Sequence, residues 1–186
     1  MAVDPALLRV HIYPDPVLRK KAVAVASVDE EVRGVARRMI ELMREHDGIG
    51  LAAPQVGLAW RLFVCDVPPN EERSAEVDPP SATRGPQVYI NPVLSAPTGA
   101  PVPADEGCLS LPDLTGEVLR PPTITITATD LEGKTIKATA TGLLARCWQH
   151  EMDHLDGVLI IDRMTQMSRL KNRAAIRDME KQAEKI

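Results

Sequence analysis

Aromatic side chains make up only 3% of this 186-residue chain: two Trp, two Tyr and one Phe. A core must therefore be filled by Leu, Ile, Val, Met and Ala, and at this length the chain can bury one such core. Cysteine is scarce too, with Cys65, Cys108 and Cys147 the only three. An odd number, in a chain that is neither small nor loop-rich, argues against a disulfide framework and for a reducing compartment. Positive charge is not in surplus: 22 basic residues face 26 acidic ones, a net charge of −4. That leaves no case for a specific nucleic-acid partner, which needs a clustered basic face. No stretch approaches the roughly 18–20 apolar residues that span a membrane. The opening "MAVDPALLRVHIYPDP" lacks a basic segment followed by an apolar run, so no secretory leader is expected. These absences leave a soluble cytoplasmic protein as the expectation, with a small ligand or a weakly charged peptide as its partner.

What is present reads as one α+β domain over residues 1–186, without internal repeats or linkers. The spacing of Val32, Val35, Met39, Leu42 and Met43 predicts a helix over 29–46, opened by acids and with Gly48 available to end it. An apolar run predicts a strand over 61–67. Residues 68–87 hold five prolines and no periodicity, and predict an exposed loop. A second strand is expected over 88–95, bent at Pro92. Alternation in "TITITATDLEGKTIKATATG" predicts a hairpin over 123–142, with Ile124, Ile126, Ala128, Ile136, Ala138 and Ala140 on its buried face. A second helix is expected over 143–155, with Gly157 past its end. A third, over 168–185, has Ser168 as its candidate cap and a thin apolar face of Leu170, Ala174 and Met179, which places it on the surface. The architecture expected is antiparallel strands packed around the second helix, with an N-terminal helix and a C-terminal surface helix.

The chain has four histidines, and two of them lie in "QHEMDHLDG". Leu143, Cys147, His150 and His154 form one helical stripe, so two imidazoles follow directly on apolar neighbours. Two core histidines bonded to backbone carbonyls would explain this. The H-E-x-x-H pattern is more specific: its spacing brings both rings within reach of one metal ion, with Glu151 beside them. A catalytic site of this type takes three protein ligands. No histidine follows His154, and Glu180 and Glu184 lie in the thin terminal helix. Cys147 reads as packing and Cys65 as a core strand residue. Cys108, in "DEGCLSLP", remains as the best thiolate candidate. "GIGLAAPQVG" (48–57) is the third unusual segment. Its glycines allow close backbone approach, and Gln55 places an amide among apolar residues. A tight loop with a hydrogen-bonded glutamine would also account for it.

Taken together, "GIGLAAPQ", "EGCLS" and "QHEMDHLDG" resemble, in order, the three signature motifs of the peptide deformylases. "YPDPVLRKKA", "INPVL" and "GLLARCWQHEMDHLDGVLIID" extend the likeness over most of residues 8–170, and "SRLKNRAAIR" resembles the bacterial branch with a C-terminal helix. The resemblance implies removal of the formyl group from N-formylmethionine at the start of new proteins. It implies Cys108, His150 and His154 as metal ligands and Glu151 as general acid/base. Gln55 and the Leu109 N–H would stabilise the oxyanion, and Gly50 and Gly107 would line the peptide groove. Ile49, Leu109 and the early part of the second helix would wall a methionine pocket. Arg146 stands where several relatives have an aliphatic residue, and is expected at the pocket rim with its head in water. Glu106 and Arg120 match an acid and an arginine that pair in the family. The metal implied is ferrous iron, with zinc, nickel or cobalt able to replace it. The partners implied are formylated ends of nascent chains, with the C-terminal helix as a surface for ribosome association.

The residue types suit formamide hydrolysis. A thiolate ligand cancels part of the ion's charge and weakens it as a Lewis acid, so Glu151 matters more as the carrier of the proton. Two other readings fit parts of the pattern. A zinc endopeptidase fits H-E-x-x-H but lacks the downstream ligand. A metal-stabilised binding module needs neither Glu151 nor the Gln55 loop. The ligand reading predicts that Cys108→Ala, His150→Ala and His154→Ala each strip bound metal, while Cys65→Ala and Cys147→Ala retain it. Metal analysis of the purified variants decides this, and loss at Cys147 with retention at Cys108 would reverse the assignment.

Overall fold

A computed structural model describes residues 3–183. Four helices run Glu30–Glu45 (α1), Gly142–Leu155 (α2), Ile160–Arg163 (α3) and Gln166–Ala183 (α4). Seven strands run Gly50–Ala52 (β1), Leu62–Cys65 (β2), Gln87–Thr98 (β3), Val102–Cys108 (β4), Leu111–Arg120 (β5), Thr123–Thr129 (β6) and Thr135–Thr141 (β7). The strands β1-β2-β3-β6-β7 form one antiparallel sheet in that order, and β4 and β5 form a separate two-stranded ribbon.

Helix α1 starts where Asp29 accepts a hydrogen bond from the Val32 N–H at 3.0 Å, with Glu30 and Glu31 favourably placed at the positive end of the helix dipole. Its buried face is Val32, Val35, Ala36, Met39, Leu42 and Met43. The stop differs from the expected one. Asp47 takes the left-handed conformation (φ 54°), and the Gly48 N–H closes the turn on Met43 O at 2.8 Å. Gly48 is small for another reason: a Cβ there would lie 2.7 Å from Leu109 Cδ1.

Strand β3 bends as expected near Pro92. The register against β6 skips between Ile90 and Val93, and Asn91 (φ 51°) turns its amide to bond both the N–H and the carbonyl of Val25, each at 2.8 Å. In the β6–β7 hairpin, Ile124, Ile126 and Ala128 are buried. On the return strand Ala140 is buried beside Leu144, whereas Ala138 is exposed. The reason is position: β7 is the sheet edge, and only its end near α2 is covered. Residues 68–86 form no helix or strand, and most are exposed. The far end is nonetheless tied down, because Thr83 exchanges hydrogen bonds with the backbone of Val67 at 2.8 and 2.9 Å and is buried with Ala82.

The β4–β5 ribbon is absent from the expected elements. Pro103, Gly107, Pro112 and Gly116 interrupt its alternation, and most of β4 is exposed, so neither pattern nor propensity marks it. Helix α2 lies between the sheet and this ribbon. Leu144, Ala145, Cys147, Trp148 and Leu155 are all buried, so the helix is enclosed on most sides. Three of the few aromatics gather here: Tyr89 stacks on Phe63 at 4.9 Å and meets Trp148 edge-on at 5.5 Å.

Helix α4 begins earlier than 168. Thr165 Oγ1 accepts from the Ser168 N–H at 3.4 Å, and Ser168 Oγ instead accepts from the Glu117 N–H at 2.9 Å, tying the helix to β5. Leu170 and Ala174 face solvent, and the face that packs is Ile176 with Met179. Residues 184 and 185 of the expected helix, with Glu184, lie outside the described residues. No helix among the described residues is long and apolar enough to cross a membrane.

Gly157, directly after α2, holds φ 74°, and a Cβ there would lie 2.5 Å from Arg19 O. Gly157→Ala should therefore cost about 1–3 kcal/mol from backbone strain alone, with the collision adding to it. A urea melt reads this as a lower midpoint at unchanged slope.

Candidate metal centre and active site

Helix α2 carries His150 and His154 one turn apart, and their Nε2 atoms approach to 3.2 Å. Cys108 enters from the end of β4, where the ribbon register shifts between Gly107 and Cys108. Its Sγ lies 3.3 Å from His154 Nε2. The three donor atoms lie within 4.8 Å of one another. Nitrogens bonded to one tetrahedral ion would be roughly 3.3–3.4 Å apart, so the donor set fits a single divalent metal. The two rings differ in their electrostatics. Burial, followed by the neighbouring His150, pushes the His154 imidazole well below its ordinary pKa, and hence neutral. His150 is pulled the other way: burial opposes its charge, but Cys108 and Glu106 outweigh it.

Glu106 sets the orientation of that ring. His150 Nδ1 donates to Glu106 Oε2 at 3.0 Å, which leaves the Nε2 lone pair facing Cys108 and His154. Glu106 is itself held by Arg120, through Nε to Oε1 at 2.7 Å and Nη2 to Oε2 at 2.9 Å, with both side chains almost fully buried. Burial works against the Glu106 charge, yet Arg120 and His150 hold its carboxyl far below the usual carboxylate range. Arg120 extends the chain to Asp153 Oδ2 at 2.9 Å, and Arg163 closes it on Asp153 Oδ1 at 2.7 Å. The family resemblance implies the Glu106–Arg120 pair, whereas Asp153 carries no sequence signal beyond its place beside His154.

Arg146 departs from expectation. Its head is not in water: Nη1 bonds Glu106 Oε1 at 2.8 Å and Val118 O at 2.9 Å, and Nη2 bonds Val102 O at 2.7 Å. Its side chain is 13% exposed. The guanidinium finds three acceptors on the ribbon, so it gives up hydration at little cost.

Glu151 is 3% exposed, and its Oε2 has no hydrogen-bond partner among the described residues. Desolvation raises its carboxyl to a pKa of about 7. Room for it is made by Gly50, where a Cβ would collide with Glu151 Oε1 and lie 2.8 Å from Cδ. Gln55 is locked by its own backbone neighbour: Oε1 accepts from the Ala52 N–H at 2.8 Å. Its Nε2 donates to Ser110 Oγ at 3.1 Å and points to Cys108 Sγ at 3.6 Å. Ser110 is fully buried, and no sequence signal marks it. Ile49, Gly50, Gly107, Leu109, Arg146 and Glu151 all border one cavity of about 580 Å³.

Comparison with known proteins agrees with this geometry. The family model for polypeptide deformylase matches residues 7–170. The chain belongs to the polypeptide deformylase family. Peptide deformylase 2 of Gloeobacter violaceus is 43% identical over 157 residues, which is 84% of this chain and 79% of that protein. The crystal structure of the deformylase from Thermotoga maritima superposes with a TM-score of 0.75 at 40% identity, covering 85% of this chain and 97% of that one. That of Ehrlichia chaffeensis gives 0.84 at 32% identity, covering 96% and 97%. The α+β architecture with α2 at its centre is thus the deformylase fold.

Within this deformylase the Glu106–Arg120 pair is expected to act as a unit. Arg120→Ala and Glu106→Ala should each cost about 3–5 kcal/mol, because each strands a buried charge. The double variant should lose less than their sum in urea melts. Additive losses would mean that the two side chains do not interact.

Proposed function

We propose that this chain is a metal-dependent hydrolase that removes the formyl group from N-formylmethionine at the start of newly made proteins. One observation carries the reading: two imidazoles and a thiol converge beside an unpartnered buried carboxylate, at the edge of a cavity. Cys108, His150 and His154 would hold one divalent ion. When bound, it supplies a Lewis acid beside the formyl carbonyl and makes water a better acid. Ferrous iron is the ion proposed for the cell, with zinc, nickel or cobalt as substitutes. The mixed sulfur and nitrogen donors suit all four, and supply rather than affinity selects among them.

Glu151 is the proton carrier. A carboxyl with a pKa of about 7 accepts a proton from water and releases it to the departing amine near neutral pH. Gln55 Nε2 and the Leu109 N–H are the donors for the negative oxygen that forms. Losing one such donor typically costs about 100- to 1,000-fold in rate. Gln55 suits the task because the orientation of its amide is already fixed by the Ala52 N–H and Ser110 Oγ. Ile49 and Leu109 offer apolar walls for an unbranched side chain, and Gly50 and Gly107 admit the peptide backbone. Residues 1–186 act as one catalytic unit. The free thiols Cys65, Cys108 and Cys147 support a reducing, cytoplasmic setting. Arg169, Arg173 and Arg177, one turn apart on α4, support contact with the ribosome.

Glu151→Gln should lower turnover of a formyl-Met-Ala peptide by at least about 100-fold while bound metal stays at the wild-type level. The unformylated peptide should be inert. Its cleavage at a comparable rate would mark an endopeptidase, and full metal with no turnover by wild type would mark a binding module.

A further inference from the structure

The contacts of Arg146 go beyond those of a pocket-lining residue. Its guanidinium reaches from α2 to both strands of the ribbon, to Val102 O on β4 and Val118 O on β5, and to the Glu106 carboxylate between them. The metal donors sit on those same elements. Cys108 ends β4, and His150 lies one turn after Arg146 on α2. Among the described residues no backbone hydrogen bond joins β4 or β5 directly to α2, so side chains make the direct links between them.

We propose that Arg146 is a positioning residue, which fixes the ribbon against α2 and clamps Glu106 onto His150 so that Cys108 and the two imidazoles meet at one ion. Glu106 Oε1 is shared by Arg120 Nε at 2.7 Å and Arg146 Nη1 at 2.8 Å, while Oε2 serves His150. Arg120 approaches from β5, within the ribbon. Arg146 approaches from the ligand helix itself. Arg146 alone among these partners links the helix that carries the imidazoles to the ribbon through three separate acceptors, two on β4 and one on β5. A lysine keeps the charge but cannot span three acceptors in one plane. The inference rests on Cys108, His150 and His154 being the ligands.

The test is cobalt(II) binding to the metal-free protein, measured by competition with a chelating dye, together with the visible absorption of the cobalt-loaded protein. Arg146→Leu should weaken cobalt binding by about 10- to 100-fold, as loss of outer ligand support does, and should alter the absorption bands. Arg146→Lys should fall between Arg146→Leu and wild type. In a Glu106→Gln background, Arg146→Leu should add little further loss, since its main route of action is already gone. The KM for formyl-Met-Ala should stay near wild type. Wild-type affinity and spectrum in Arg146→Leu, with a raised KM, would overturn the proposal in favour of a substrate contact. Full loss in both backgrounds would overturn action through Glu106. If Arg146→Leu does not fold by circular dichroism, Arg146→Lys and Arg146→Gln decide by the same measurements. His154→Ala separates this inference from the reading beneath it: cobalt retained by that variant refutes the ligand set itself.

Discussion

The Glu106 carboxylate is where the two halves of the site are joined. It accepts from Arg120 on its own ribbon and from Arg146 and His150 on α2. An isolated carboxylate at this depth would be neutral, since burial strongly disfavours its charge. The surrounding donors reverse that balance, and the carboxyl is held far down instead. The charge is therefore stable only while the ribbon and the helix stay together. Such a network contributes little net stability compared with an apolar core, but removal of any one member is expensive. Its value lies in geometry: it fixes the His150 ring and the strand that ends in Cys108.

Glu151, next to His150 on α2, shows the opposite treatment. It lacks the arginine partners of Glu106, and burial raises its carboxyl to about 7. Two buried acids on adjacent elements thus have opposite pKa shifts because one is paired and the other is not. Close approach makes this separation feasible. Gly50 brings a strand backbone against the Glu151 carboxyl with no space for a side chain, and so excludes competing donors from one flank. Gly116 plays a similar packing part further away, where a Cβ would meet the end of the Met164 side chain, with Cε at 2.5 Å.

Helix α2 suits its task because it is enclosed rather than amphipathic in the ordinary sense. The sheet covers one side through Trp148, Tyr89 and Phe63, and the ribbon covers the other through the charged chain of Glu106, Arg120 and Asp153. Apolar packing holds the helix in place on one flank, and ion pairs set its rotation on the other. The scarcity of aromatics in the sequence is consistent with this, since three of the five are spent on that single contact.

Helices α1 and α2, strands β2 and β3 and the β6–β7 hairpin were legible in the sequence, because each carries a local period or apolar run bounded by a cap, glycine or turn residue. H-E-x-x-H was legible for the same reason: a spacing of four on a helix dictates that two imidazoles share a face wherever the helix lies. The ribbon was not, because its prolines and glycines erase the period and its pairing depends on partners outside each strand. The head of Arg146 was misplaced on the same account. A helical position says where a stem starts, whereas burial of the guanidinium depends on acceptors 28 to 44 residues away along the chain. Asp153 and Ser110 went unassigned because their partners, Arg120 and Gln55, are equally remote. The local sequence by itself determined which residues could ligate a metal, since that follows from side-chain chemistry and short spacing. Only the tertiary structure decided which carboxylate is paired and which is left without a partner, since that depends on what long-range packing brings within 3 Å of each oxygen.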